Sequence, residues 1–141
     1  MTQTDRTYRE RLKDLKTVII IPTYNNNGTI AQVISDVKEY ADDIMVVNDG
    51  STDNTLEILQ NTDGIMIETY EKNMGKGHAL KTGLAKAYEL GFRYAITIDA
   101  DGQHNPAYLD SMVKALVETE SDMVIGSRYI EKEGFQSTAS R

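Results

Sequence analysis

The stretch Ile96-Thr97-Ile98-Asp99-Ala100-Asp101-Gly102-Gln103 ends an apolar run with two carboxylates, one residue apart, followed at once by glycine. Side chains alternate between the two faces of a strand, so both acids lie on one side if the strand continues through them. A strand tip has no structural need for paired acids. A hard divalent cation that bridges to an anionic substrate does need them, because Mg²⁺ and Mn²⁺ prefer oxygen ligands. The stretch therefore predicts a metal-dependent enzyme that acts on a phosphorylated small molecule.

Outward from this stretch, apolar runs alternate with helical patterns along the chain. Continuous apolar runs predict buried strands at residues 17–21, 44–47 and 94–98, a weaker strand at 64–70 and a fifth at 122–125. Pro22 is expected to end the first strand. Apolar residues at helical spacing predict helices that begin near residues 30, 53, 77 and 106. This alternation predicts an α/β fold, a mostly parallel, Rossmann-like sheet with helices on both faces.

Composition excludes several classes of protein. The 141 residues suffice for one domain, and the formal net charge of −7 argues against a nucleic-acid-binding surface. The absence of cysteine excludes disulfide and thiol chemistry. No apolar run reaches the roughly 18 residues of a membrane span. Residues 2–16 are polar, lack the apolar core of a signal peptide, and are compatible with a short helix or a frayed tail. We therefore expect a cytoplasmic protein.

Polar residues follow four of the predicted strands. Because ligands bind at the carboxyl ends of strands in parallel sheets, these residues predict a binding site along one edge of the sheet. The four groups are Pro22-Thr23-Tyr24-Asn25, Asn48-Asp49-Gly50-Ser51, Asp99-Ala100-Asp101 and Ser127-Arg128.

The acids have two readings each. Asp101 is the better metal ligand, because Gly102 lets the backbone wrap an ion and Gln103 adds a neutral oxygen, although both acids would also suit a turn before Pro106. Asp49 can accept hydrogen bonds from a nucleotide base or ribose, or it can hold its own loop as an Asx turn.

Two cationic residues complete the candidate site. The Gly75-Lys76-Gly77 loop is similar to a phosphate-cradling loop but lacks the Gly-Lys-Ser/Thr ending, so Lys76 either pairs with a diphosphate or belongs to a tight turn near the ligand. Arg128 either holds a phosphate or sugar through its fork of donors or lies on the surface.

Five segments in order resemble glycosyltransferase family 2, which has the GT-A fold. They are Val18–Asn25, Val46–Thr55, Asn73–Gly83, Asp99–Pro106 and Ile125–Tyr129. The Gln-His pair after the acids and the Gly-Ser-Arg-Tyr segment are similar to the branch that contains dolichol-phosphate mannose synthases and bacterial polyprenyl-phosphate enzymes. The resemblance implies transfer, with inversion, from a nucleotide-sugar donor (a UDP- or GDP-sugar) to a polyprenyl phosphate or glycan acceptor, with Mg²⁺ or Mn²⁺ as cofactor.

The resemblance also implies residue roles. Asp101 would be the catalytic residue and, with Gln103, would hold the metal on the donor diphosphate. Asp99 would lie near the ribose and diphosphate, and Arg128 near the donor or acceptor phosphate. The remaining nucleotide-sugar contacts would come from Pro22, Thr23, Tyr24, Asn25, Asp49, Gly50, Lys76 and Ala100.

Members of the family continue beyond the point that matches Arg141, with acceptor-binding elements and often an acidic base. We therefore expect the donor-binding part of a longer transferase, truncated on its C-terminal side and better at binding nucleotide than at turnover. Its expected parts are a polar extension (1–16), the nucleotide-sugar-binding domain (17–130) and the start of an acceptor-side segment (131–141). The longer protein would lie in the cytoplasm or at the cytoplasmic face of a membrane, in cell-envelope polysaccharide synthesis. A non-catalytic nucleotide-binding module and a phosphohydrolase with an aspartate nucleophile are the alternatives.

Overall fold

The computed structural model describes residues 3–101, with side chains from residue 9 onward, and strands and helices alternate along them. The elements are α1 (Gln3–Asp14), β1 (Thr17–Thr23), α2 (Ile30–Lys38), β2 (Ile44–Asp49), α3 (Thr55–Gln60), β3 (Met66–Tyr70), α4 (Lys76–Glu89) and β4 (Tyr94–Thr97). The helix and strand expected after residue 105 lie outside the described residues, as do Gln103 and Arg128. No helix within residues 3–101 has both the length and the apolar character needed to cross a membrane.

The described strands form one parallel sheet in the order β3-β2-β1-β4. β1 lies between β2 and β4, with Ile19 in register with both Ile44 and Ile96. All residues of β1 and β2 are buried, which explains why these strands are continuous apolar runs rather than alternating ones. The predicted parallel α/β sheet is confirmed.

Helices cover both faces of the sheet, as expected. Ile19 and Ile21 of β1 point into one core, hereafter the first core, which also holds the buried side chains of α2 and Leu59 of α3. Val18 and Ile20 point into the second core, where α4 covers the sheet. β1 therefore supplies both cores from alternate residues.

The N-terminal segment is a helix rather than a frayed tail. Leu12 of α1 is only 2% exposed and packs in the first core. The Arg9 guanidinium donates to the carbonyl oxygen of Lys38 and lies 3.2 Å from the carboxylate of Asp42. These contacts attach α1 to the end of α2.

The prediction that Pro22 ends the first strand is wrong, because β1 continues to Thr23. The carbonyl oxygen of Ile20 accepts a hydrogen bond from the N–H of Ile98, so the backbone polar groups of Ile20 point toward β4. The backbone of Pro22, two residues further on, is turned to the same side. The pairing of β1 with β4 already ends at Ile20 and Thr97. The missing N–H of Pro22 therefore falls beyond that ladder, where it costs no hydrogen bond.

The sequence placed the start of α3 near residue 53, but the helix begins at Thr55. The carboxylate of Asp53 accepts a hydrogen bond from the N–H of Thr55 at 2.9 Å. Burial acts to raise the pKa of Asp53, but hydrogen bonds from Thr55 and Asn27 outweigh it and lower the pKa. Asp53 therefore closes the turn that leads into α3 and is not part of it.

The face of α4 that meets the sheet is made of small residues. Ala79, Gly83 and Ala87 are buried, whereas Leu80 and Leu84 are only half-buried. A β-carbon added to Gly83 would lie 2.9 Å from Cγ2 of Ile20 and 3.1 Å from Cγ2 of Val47. The glycine thus allows α4 to approach β1 and β2 closely.

Candidate functional site

A cleft of about 320 Å³ opens at the carboxyl ends of the strands. β1 and β4 are neighbours in the sheet, and the strand order reverses between them, which is where ligands bind in doubly wound α/β folds. The lining residues come from the ends of β1 and β2, from the loops after β1, β3 and β4, and from the start of α4. They are Pro22, Thr23, Tyr24, Asn26, Asp49, Asn73, Gly75, Lys76, Ala79, Asp99, Ala100 and Asp101.

The loop after β1 presents Tyr24 at the mouth of this cleft, where its side chain is 45% exposed. Asn26 holds that loop, because its side-chain oxygen accepts hydrogen bonds from Thr23 Oγ1 at 2.7 Å and from the N–H of Tyr24 at 3.0 Å. An exposed ring beside a polar cleft can stack on a planar ligand while the backbone below it stays fixed.

Asn25 is not among the residues that line the cleft, although the sequence placed it there. It adopts a positive φ of 52°, and its side-chain oxygen accepts hydrogen bonds from the N–H groups of Thr52 at 2.8 Å and Asp53 at 3.2 Å. Its own N–H donates to Ser51 Oγ. In this structure Asn25 joins the loop after β1 to the loop after β2.

Asp49 holds the loop that precedes α4. The side chain is 97% buried, since the residue is only 3% exposed, and its carboxylate accepts hydrogen bonds from Tyr70 Oη (2.8 Å), the N–H of Met74 (2.8 Å), Asn73 Nδ2 (2.9 Å) and the N–H of Gly75 (3.0 Å). A carboxylate has about four lone-pair sites, so these donors occupy them all. The loop-holding reading of Asp49 therefore accounts for its contacts here, although the residue also borders the cleft.

Tyr70 supports Asp49 from the end of β3. Burial, together with the hydrogen bond to Asp49 and the negative charge of that carboxylate, raises the pKa of the Tyr70 hydroxyl well above its usual value. The ring of Tyr70 also meets the ring of His78 edge to face, with centroids 5.2 Å apart. These contacts join β3 to the first turn of α4.

Two glycines shape the loops around Asp49. Gly50 has a φ of 67°, and a β-carbon there would lie 2.3 Å from the backbone nitrogen of Asn73, so this glycine permits the close approach of two loops. Gly50 does not line the cleft itself. Gly75 has φ 97° and ψ 159°, a conformation that is essentially restricted to glycine. It sets the direction in which α4 begins.

Asp99 and Asp101, hereafter the acid pair, both line the cleft. The sequence analysis placed both acids on one side of a strand that continues through them. β4 ends at Thr97, so strand alternation does not explain why both acids line the cleft. Lys76 Nζ lies 2.5 Å from Asp99 Oδ1, and the two side chains are 53% and 17% exposed. A half-exposed ammonium group of α4 thus already compensates the charge of one acid.

The acid pair offers oxygen ligands suited to Mg²⁺ or Mn²⁺, which are often held by one or two carboxylates with water and substrate phosphates as the other ligands. Within residues 3–101, no three histidine, cysteine or acidic side chains lie together as a metal-binding group. The donor set fits an ion shared with a phosphorylated ligand.

The sequence analysis did not identify Asn26, Asn73 or Ala79 as lining residues. Asn26 directly follows Asn25, and the sequence pattern does not distinguish which of the two adjacent asparagines lines the cleft. Asn73 lies two residues before the Gly75-Lys76-Gly77 loop, so the sequence indicated this region but not the contact that Asn73 makes. Arg128 and Gln103 lie outside the described residues and stay predictions.

Comparison with known proteins identifies relatives over more than four fifths of the chain. The UDP-N-acetylglucosamine–dolichyl-phosphate N-acetylglucosaminyltransferase of Methanococcus voltae is 33% identical over 136 residues, which cover 84% of this chain and 54% of that protein. The polyprenol monophosphomannose synthase of Mycolicibacterium smegmatis is 31% identical over 122 residues, covering 82% of this chain and 46% of that protein. The chain spans about half the length of these curated relatives.

Solved structures share the fold. Glucosyl-3-phosphoglycerate synthase from Mycobacterium tuberculosis, in complex with Mn²⁺, UDP-glucose and phosphoglyceric acid, has a TM-score of 0.64 and 25% identity, covering 86% of this chain and 46% of that one. The same enzyme with Mg²⁺ and UDP has a TM-score of 0.62 and 24% identity, covering 82% and 44%. These neighbours have the GT-A fold.

The matched region extends beyond the described residues. Residues 18–141 match the family model described as Glycosyl transferase family 2, so the chain belongs to that family.

Proposed function

We propose that the cleft binds a nucleotide-sugar donor with a divalent metal, and that the chain is the donor-binding part of an inverting glycosyltransferase. The acceptor would be a polyprenyl phosphate or a glycan. The observation that carries the proposal is the meeting of the acid pair with Lys76 in a cleft at the reversal of strand order. Oppositely charged groups at this place suit a metal–diphosphate complex.

Support for the substrate classes comes from the relatives. One curated relative is named for UDP-N-acetylglucosamine and dolichyl phosphate, and the other for the synthesis of polyprenol monophosphomannose. Mn²⁺ and Mg²⁺ occur with UDP or UDP-glucose in the structural neighbours. We transfer the nucleotide-sugar donor, the metal and the phosphate-bearing acceptor to this chain as proposals, with the base of the nucleotide, uridine or guanosine, left to experiment.

We assign Asp101, with Gln103, to the metal, Asp99 to the ribose and diphosphate, and Lys76 to the diphosphate. A bound divalent ion would act as a Lewis acid that neutralises the leaving nucleoside diphosphate. Lys76 is half exposed at the mouth of the cleft, so its ammonium group can exchange Asp99 for a phosphate oxygen without unpacking α4. Among the carboxylates, Asp101 is the proposed catalytic residue.

The nucleoside would lie toward the loop after β1. Tyr24 offers an exposed aromatic face for the base, while Pro22 and Thr23 form the floor beside it. Asp49 and Gly50 would contribute by holding the loops of residues 50–51 and 73–75 in place. Asn25 would do the same for the loop after β1.

The acceptor side of the reaction is argued from chemistry. A lipid phosphate is already ionised near neutral pH, whereas a sugar hydroxyl needs a general base to remove its proton. Arg128 is proposed to approach the donor or acceptor phosphate. The domain boundaries at residues 16 and 130 belong to the same proposal.

Calorimetric titration of UDP, GDP and their sugar conjugates into the chain, with and without Mn²⁺, tests the donor site. We expect one nucleotide to bind in a Mn²⁺-dependent manner, and Asp101→Asn to weaken that binding by about tenfold or more, the loss typical when a group that holds or orients a metal is removed. Asp63→Asn is the matched control, because Asp63 is exposed in the turn before β3, at the opposite end of the strands.

Two results would contradict the proposal. One is the absence of nucleotide binding in the presence of Mn²⁺. The other is binding that is equally strong with a chelator present or in Asp101→Asn. Release of inorganic phosphate from a simple phosphoester would instead support the phosphohydrolase alternative.

A further inference from the structure

The hydroxyl group of Thr29 makes a contact that its place at the start of α2 does not explain. A threonine just before a helix usually accepts a hydrogen bond from a backbone N–H of the first turn, but Thr29 makes no such capping bond. Thr29 Oγ1 instead donates to the carbonyl oxygen of Ala100 at 2.6 Å. The hydroxyl is therefore directed across the fold to the residue between the two acids.

The segment that carries the acid pair has little regular structure to hold it. It lies beyond the end of β4, and its backbone is joined to the sheet by the hydrogen bond from the N–H of Ile98 to Ile20, at 3.0 Å. The side chains of Ile98 and Ala100 are buried in the first core. The hydrogen bond from Thr29 fixes the peptide group that joins Ala100 to Asp101.

Thr29 is itself held firmly. Its N–H donates to the carbonyl oxygen of Asn26 at 3.0 Å, and its own carbonyl oxygen accepts from the N–H of Val33 at 3.0 Å. The next residue, Ile30, is fully buried in the first core. The hydroxyl therefore projects from a rigid helix start and gives the Ala100 carbonyl a fixed partner.

We propose that Thr29 is a positioning residue for the acid pair. Through the carbonyl oxygen of Ala100 it sets the plane of the Ala100–Asp101 peptide, and hence the direction in which the Asp101 carboxylate enters the cleft. The inference rests on the proposed function, because the orientation of Asp101 matters to a ligand only if Asp101 holds a metal–diphosphate complex. Groups that orient metal ligands affect metal affinity although they do not touch the ion.

Two variants of Thr29 separate the hydroxyl from the rest of the side chain. Thr29→Val keeps the shape and removes the donor, whereas Thr29→Ser keeps the donor and removes a methyl group. Thr62→Val is the matched control, because Thr62 Oγ1 also donates to a backbone carbonyl, that of Ile58 at 2.7 Å, outside the cleft.

Binding of Mn²⁺ in the presence of UDP is measured by the electron paramagnetic resonance signal of unbound Mn²⁺. We expect Thr29→Val to weaken Mn²⁺ binding by about five- to tenfold, the effect of one lost hydrogen bond, and Thr29→Ser and Thr62→Val to stay within about twofold of the unaltered chain. Binding of UDP without metal should change little in any variant, because Thr29 acts only on the acid pair.

Carbon-13 NMR of the Ala100 carbonyl gives a readout that does not depend on ligand. We expect its resonance to move upfield in Thr29→Val, where the hydrogen bond is lost, and to stay in place in Thr29→Ser. This measurement also shows whether the valine variant keeps the fold, since the remaining carbonyl resonances should not move.

The outcomes of these measurements distinguish a failure of the positioning role of Thr29 from a failure of the proposed function. Unchanged Mn²⁺ affinity in a folded Thr29→Val would overturn the positioning role while leaving the proposed function intact. Loss of Mn²⁺ affinity in Thr29→Ser as large as in Thr29→Val would overturn it too, because the hydroxyl would then not be the cause. If the unaltered chain binds no Mn²⁺ with UDP, the proposed function fails and the inference fails with it.

Discussion

Asp49 is the residue whose carboxylate holds most of the loop structure around the cleft. Its four donors come from the end of β3 and from the loop that leads into α4. That loop ends at Gly75, which directs the first turn of α4, and the next residue is Lys76 beside Asp99. One buried charge thus helps to fix the place of Lys76, which follows directly after a residue that Asp49 holds.

Tyr70→Phe tests this arrangement through pH. The hydroxyl of Tyr70 has a pKa raised above its ordinary value of 10.0, so it stays protonated in the folded chain at pH values where the unfolded chain releases the proton. The hydrogen bond to Asp49 therefore stabilises the fold fully below pH 10, and this contribution is lost as pH rises further. We expect Tyr70→Phe to lower the free energy of unfolding by about 1–2 kcal/mol near neutral pH.

The measurement is urea unfolding of both proteins from near neutrality to about pH 11, the range in which an ordinary tyrosine titrates. The stability difference between them should shrink at the alkaline end. Tyr88→Phe is the control, because Tyr88 is 82% exposed and should show no such difference. A difference that stays constant across this range would show that the Tyr70 hydroxyl does not titrate as described.

At the residue scale the sequence identified the segments of the site more reliably than the individual contacts. Asp99, Asp101 and Tyr24 were selected because polar residues follow apolar strands, and Lys76 because it lies between two glycines. The structure brings all four to the cleft. Asn25 was selected on the same pattern, but a positive φ turns its amide to the neighbouring loop. Backbone conformation at a single asparagine is not encoded in a pattern of polar and apolar residues.

At the element scale, α4 shows how a helix of modest apolar content can be firmly seated. Its buried positions are Ala79, Gly83 and Ala87, so the contact with the sheet depends on close approach rather than on large side chains. The N-terminus of the same helix carries Lys76. The position of the cation therefore depends on how closely the helix lies on β1 and β2.

Gly83→Ala should separate helix propensity from packing. Alanine favours a helix over glycine by about 1 kcal/mol, but overpacking against Ile20 and Val47 costs about 1–3 kcal/mol. We expect a net loss of about 1 kcal/mol in the free energy of unfolding, measured by urea denaturation. The methyl groups in the way belong to β-branched side chains of the sheet, which have little freedom to move.

Gly77→Ala is the control within the same helix. Nothing lies within 4 Å of a β-carbon placed there, so the alanine should stabilise the chain by about 0.5–1 kcal/mol. Stabilisation by both substitutions to the same extent would show that α4 does not press on the sheet at Gly83.

Strand boundaries were predicted well where burial is uniform and less well at the ends. β1 and β2 run past the apolar residues to Thr23 and Asp49, because strand pairing continues through polar side chains that are themselves buried. Apolar periodicity has no signal for such residues. The sequence predicted that Pro22 ends β1, because proline lacks the N–H that a neighbouring strand would bind. The prediction is wrong because the neighbouring strand on that side has already ended, which the sequence does not reveal.

At the scale of the whole molecule, the strands differ in burial, and we expect them to differ in local stability. β1 and β2 are buried along their full length, whereas β3 is half-exposed. We expect amide hydrogens of β1 and β2 to exchange most slowly, close to the rate of global unfolding, and those of β3 to exchange faster by local opening. Hydrogen exchange followed by NMR measures this order, and equal protection of β3 and β1 would contradict it.

The architecture as a whole was predictable, since alternation of buried strands with amphipathic helices leads to a parallel sheet covered on both faces. The cleft followed from the rule that ligands bind at the carboxyl ends of the strands. What the sequence could not supply were contacts between distant segments, such as that of Thr29 with Ala100. These depend on distances that no local pattern specifies.

The pairing of β1 with β4 has a consequence for folding during translation. Residues 17–49 can form a β-α-β unit as soon as they leave the ribosome, because β1 and β2 are close in sequence and pair directly. The partner of β1 on its other side, Tyr94–Thr97, is made much later. The nascent chain therefore exposes one side of β1 while translation continues, and the acids reach the cleft only when this later strand docks. Pairing between strands that are far apart in sequence is a slow kind of folding step.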